Sequence, residues 1–87
     1  MQLVKVTLTN VEPPGQRITE SVATDLIWSY AQENDAVEHV RVRIGTDLMT
    51  VVLFIRSADE KAARESAANV VRRAMKAPAL QGWRINE

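Results

Sequence analysis

EHVRVRIGTDLMTVVLFIRS, Glu38 to Ser57, is the stretch whose reading decides the fold. Its first half alternates between charge and hydrocarbon, and its second half is almost wholly hydrocarbon. Val40, Val42 and Ile44 fall on one side of a period-two pattern, with His39, Arg41 and Arg43 on the other. That is the pattern of a strand buried on one face. Gly45-Thr46-Asp47 supplies a tight turn, and Leu48 to Arg56 reads as the next strand. With a two-residue loop at Thr46-Asp47, Ile44 faces Met49, Val42 faces Val51 and Val40 faces Leu53. On the other side Arg43 faces Thr50, Arg41 faces Val52 and His39 faces Phe54. Both strands then bury the same face, which specifies the hairpin register. Their unequal composition implies unequal positions. Val37 to Ile44 suits a sheet edge, where one face is solvated, and Leu48 to Arg56 suits the centre.

Working outward, LVKVTLT (Leu3 to Thr9) alternates Val4, Val6 and Leu8 against Lys5, Thr7 and Thr9, and predicts another half-buried strand. Pro13-Pro14-Gly15 ends it with a turn. From Ile18 to about Asn34 the spacing is helical, with Ile18, Val22, Leu26 and Tyr30 as the core stripe, flanked by Ala23 and Ile27. After the hairpin, Ser57-Ala58-Asp59-Glu60 reads as a capping box for a second helix. Its stripe is Ala63, Ala67, Val70, Val71 and Ala74, small enough for close packing on a sheet, and Pro78 follows its end. Gln81 to Glu87 carries Trp83 and Ile85 on one face and reads as a last strand. The order β-α-β-β-α-β with right-handed crossovers predicts a single ferredoxin-like α+β domain over residues 1–87, with sheet order 4-1-3-2 and both helices on one face.

At 87 residues the chain supports one core. It has no cysteine, which excludes disulfides, thiolate metal sites and cysteine nucleophiles. An unstapled domain whose N-terminal MQLVKVTLTN lacks the apolar core of a signal peptide is expected in the cytoplasm. No apolar run has the ~18 residues of a membrane span. No cofactor or metal motif stands out, and the serines lack a nucleophile elbow.

The strand parities point to a surface. With hydrocarbon turned to the helices, the free sheet face should display Lys5, Thr7 and Thr9; Thr50, Val52, Phe54 and Arg56; His39, Arg41 and Arg43; and Arg84 and Asn86. Lys5, Arg41, Arg43, Arg56 and Arg84 make this face basic in a chain of zero net charge, with Phe54 near its middle. Trp28 is expected on the polar side of the first helix, among Ser21, Thr24, Asp25 and Gln32, as an anchor for a partner. Trp83 is expected in the core. His39 reads as a solvated or stacking residue, and Arg72, Arg73 and Lys76 as cations complementing a helix C-terminus.

In placement, cations around an aromatic on a four-stranded sheet resemble RNA-recognition modules. The strand LMTVVLFIR lacks the glycine and paired aromatics of that family's corresponding motif. Pro13-Pro14-Gly15 is similar in position to the Pro-Gly pair of regulatory ACT domains, with Glu12 in the place of the acidic residue that precedes it. That resemblance implies an amino-acid ligand at the turn. The expectation from the residues is a non-catalytic interaction module that self-associates, as a dimer or larger homo-oligomer, or binds another protein. The alternatives are a nucleic-acid or small-anion binder using the basic face, and an enzyme of the dimeric α+β barrel type or an ACT-like regulatory domain.

Overall fold

Period-two segments become strands and helically spaced segments become helices, in the order β1 (Gln2–Asn10), α1 (Glu20–Ser29), β2 (Val37–Ile44), β3 (Leu48–Ile55), α2 (Glu60–Ala74) and β4 (Trp83–Ile85). Short 3-10 turns occupy Glu33–Asp35 and Pro78–Leu80. The structure, a computed structural model, describes residues 1–11 and 18–86, so the expected turn at Pro13-Pro14-Gly15 and the comparison with ACT domains built on it lie outside the described residues.

The sheet is antiparallel, with order β2-β3-β1-β4. The hairpin has the expected register, Val40 opposite Leu53, Val42 opposite Val51 and Ile44 opposite Met49. Gly45 N–H donates to the Leu48 carbonyl at 2.7 Å, which leaves Thr46 and Asp47 as the loop. The ladder slips between Val37 and His39, so Glu38 is an extra residue, a bulge that was not foreseen. The central strand β3 buries Met49, Val51, Leu53 and Ile55.

One parity of each long strand shares a single core with both helices: Val4 and Leu8, Val40 and Val42, and the four β3 residues pack with Ala23, Ile27, Ala63, Ala67, Val70, Val71 and Ala74. The other parity forms a sheet face that no helix covers. α2 buries the expected stripe without exception. Trp83 is in the core as expected, and Leu80 joins it from the 3-10 turn. Gly82, with φ of 90°, turns the chain from there into β4 at a backbone geometry that L side chains avoid.

α1 departs from expectation twice. It ends at Ser29 instead of near Asn34, and its buried residues are Ala23 and Ile27, while Val22 is 52% exposed. Ile18, Leu26 and Tyr30 are only half-buried against the core. The methyl side chain of Ala23 lets the helix approach β2 where the branched Val22 would hold it away. The N-cap is Thr19, whose Oγ1 accepts from Val22 N–H at 3.1 Å. The cap of α2 is likewise not the expected box: Asp59 Oδ1 accepts from Lys61 N–H at 3.0 Å, and Ser57 Oγ accepts from Asp59 N–H at 3.1 Å. Ser57 therefore sets the turn before the helix, and Asp59 caps it.

Candidate interaction surfaces

The ladder places the free-face residues in rows across β1, β3 and β2. Leu3, Phe54 and His39 form one row; Lys5, Val52 and Arg41 the next; Thr7, Thr50 and Arg43 a third; and Thr9 pairs with Leu48 on one side and Arg84 on the other. Two of these residues were not anticipated. Leu3 is 65% exposed and Leu48 is 46% exposed. Both sit on the solvent parity, where the alternating pattern calls for a polar residue. With half-buried Val52 and Phe54 they make an apolar strip along β3, about 20 Å from Leu48 to Phe54 at the usual strand rise and interrupted at Thr50, whose row holds Thr7 and Arg43.

Cations border this strip. Lys5 and Arg41 flank Val52 from the two neighbouring strands, about 10 Å from each other at ordinary strand spacing, so salt largely screens their mutual repulsion. Lys5, Arg41, Arg43 and Arg84 make no ion pair among the described residues. Arg56 differs. Its Nε lies 3.6 Å from Glu38 Oε1, because the bulge brings that carboxylate to the end of β3. Arg56 therefore belongs to an exposed ion pair, and four of the five expected cations stay uncommitted. His39 and Phe54 make a T-shaped ring pair, with centroids 5.3 Å apart and planes at 69°.

Trp28 is exposed, as its helical phase requires. It does not join the sheet face. It lines a separate open groove of about 550 Å³ with Ala31, Gln32, Glu33, Ala36, Val37, Glu38 and Arg56. The groove wall between α1 and β2 is held from a distance. Arg73 on α2 donates from Nε and Nη2 to the Tyr30 carbonyl at 3.1 and 3.0 Å, and from Nη2 to the Asp35 carboxylate. Asp35, 6% exposed, also accepts from Gln32 N–H at 2.8 Å. Arg73 is therefore a tertiary clamp, a more specific role than the helix-end cation expected of it. It also satisfies the Tyr30 carbonyl, which the end of α1 leaves without a helical partner.

Among the described residues no group of three or more His, Asp or Glu side chains is placed to hold a metal ion. No helix is long and apolar enough to cross a membrane. Comparison with protein-family models, with curated proteins and with solved structures gave no match to this chain.

Proposed function

We propose that the protein is a ferredoxin-like interaction module, not an enzyme, and that it docks another protein surface on the helix-free face of its sheet. The element order and the sheet order β4-β1-β3-β2 support the ferredoxin-like reading. The observation that carries the docking reading is the strip of Leu3, Phe54, Val52 and Leu48 bordered by four cations that make no ion pair among the described residues. Exposed apolar side chains rimmed by charge suit a partner with its own apolar ridge and an acidic border. Three of the four strip residues are aliphatic, so stacking of nucleic-acid bases would rest on Phe54 alone within the strip.

The test is the double reversal Arg41→Glu with Arg43→Glu, both exposed on an edge strand and expected to leave the fold intact. Affinity purification with wild type and variant, followed by mass measurement, should show bound protein with wild type alone. Equal capture by both refutes the docking reading. A single-stranded oligonucleotide that binds wild type with steep salt dependence, and loses about 1–3 kcal/mol of binding on Phe54→Ala, replaces it with the nucleic-acid alternative.

A further inference from the structure

The sheet face and the Trp28 groove differ in the sign of their free charges, and we propose that they are the two halves of one self-association contact. The free sheet face of one copy receives the Trp28 surface of another. This rests on the reading of the sheet face as a protein-docking surface and names its occupant.

The charge distribution carries the inference. Between Ile18 and Glu38 the chain has Glu20, Asp25, Glu33, Asp35 and Glu38 and no Lys or Arg. Three of these carboxylates are engaged internally: Glu20 accepts from Ile44 N–H at 2.9 Å, Asp35 is clamped by Arg73, and Glu38 pairs with Arg56. Asp25 and Glu33 are exposed and make no ion pair among the described residues. Asp25 lies three residues before Trp28 on α1, and Glu33 lines the same groove as Trp28. Free carboxylates therefore accompany an indole that is 47% exposed. The sheet face presents the converse, an apolar strip bordered by Lys5, Arg41, Arg43 and Arg84. A chain of zero net charge thus carries two patches that match each other in both respects.

The alternatives within one chain fit less well. Packing two sheet faces together sets like charges against each other, which disfavours that arrangement. Packing two grooves together does the same with Asp25 and Glu33. Joining unlike patches is a heterologous contact, in which residues of one patch meet residues of the other. Size permits it. A standard interface takes about 800 Å² from each partner, and the protein exposes 5612 Å², enough for two such patches. Trp28 then serves as the aromatic anchor that packs on the strip.

The experiment is sedimentation of the full chain from micromolar to near-millimolar concentration at low salt. Two variants each spoil one patch without creating a charge that the other could match: Arg41→Gln with Arg43→Gln on the sheet, and Asp25→Asn with Glu33→Gln beside the groove. Each alone should self-associate at least about tenfold more weakly than wild type. An equimolar mixture should form a one-to-one pair, because one variant keeps its groove and the other keeps its sheet face. Attraction between oppositely charged proteins is separated from this contact by Trp28→Ser. Placed in the sheet variant, whose groove is intact, it should weaken the pair at least about tenfold. Placed in the groove variant it should change nothing. If a double variant fails to fold, the single substitutions Arg41→Gln and Glu33→Gln replace it, with the same dependence on Trp28. A wild type that stays monomeric throughout, or a mixed pair indifferent to the placement of Trp28→Ser, overturns the proposal. If wild type in that case still captures an acidic protein and the sheet variant does not, the docking reading stands and only its occupant is wrong.

Discussion

Replacing Arg73 by methionine tests what holds the segment between α1 and β2. The substitution keeps the hydrocarbon stem and removes the donors to the Tyr30 carbonyl and the Asp35 carboxylate. Asp35 then stays 6% exposed in the native geometry with Gln32 N–H as its remaining donor. Breaking a fully buried pair by removing one partner costs about 3–5 kcal/mol. The Arg73 side chain is 28% exposed, so water replaces part of what is lost, and about 2–4 kcal/mol is the expected destabilisation. A domain of this size is stabilised by about 5–8 kcal/mol, so the variant should fold with a much reduced margin. Each kcal/mol shifts Tm by about 4–8 °C, which predicts a fall of roughly 8–32 °C. Urea unfolding gives the free energy directly. Adding Asp35→Leu to Arg73→Met removes the stranded carboxylate and should recover at least about 1 kcal/mol. An Arg73→Met loss within about 0.5 kcal/mol, the range of an ordinary surface substitution, would refute the clamp. So would a double variant whose losses simply add.

Ala67 is fully buried in the middle of the α2 stripe, and Ala67→Leu should overpack the helix–sheet contact by about 1–3 kcal/mol, read as a lower Tm. Unchanged stability would mean that α2 can lift from the sheet without loss. Ala36 has φ of 58°, a left-handed geometry that disfavours a side chain by about 1–2 kcal/mol, while glycine loses more backbone entropy on folding. Ala36→Gly should therefore raise stability by about 0.5–1 kcal/mol in urea unfolding, and a loss would show that the Ala36 methyl packs more favourably than its backbone is strained.

What was legible in the sequence depended on whether a local pattern had one physical solution. The hairpin register was legible because β2 and β3 carry separate period-two patterns that bury hydrocarbon together in one alignment. The α2 stripe was legible because its apolar residues occupy one helical face and its remaining positions are largely polar. α1 offered two adjacent stripes, one through Val22 and one through Ala23, and periodicity cannot choose between them. The choice fell to closeness of approach to β2. The clamp at the end of α1 was invisible locally because Arg73 lies 43 residues away from Tyr30 in sequence. The bulge at Glu38 has no sequence signal, so the pairing of Arg56 was missed with it. Leu3 and Leu48 interrupt the polar parity of their strands, and that interruption was itself the available sign of the apolar strip. Exposure of Trp28 followed from helical phase, whereas its groove needed the 30–36 segment, whose course is tertiary.

The edges of the sheet bear on how the molecule can associate. Gly45 donates inward to Leu48, so the alternate residues Ile44, Val42 and Val40 point their backbone groups away from β3, toward the open side. Such a row invites another strand. Here Glu20 occupies the Ile44 N–H, and the bulge at Glu38 interrupts the other end of the strand. A second β2 pairing antiparallel would also bring Arg41 and Arg43 beside their counterparts. At the opposite edge β4 spans only Trp83–Ile85 and pairs with Leu8, Thr9 and Asn10, too short a template for a stable ladder. Strand addition is thus guarded at β2 by side chains and limited at β4 by length, while β1 from Gln2 to Val6 has no strand partner on the β4 side among the described residues. The large apolar side chains that remain exposed on regular elements lie mostly elsewhere, with Leu3 and Leu48 on the open sheet face and Trp28 beside the groove. Association through those surfaces requires no guard to be displaced, and that is why the charge complementarity between them, and not the backbone of β2, is the feature to test first.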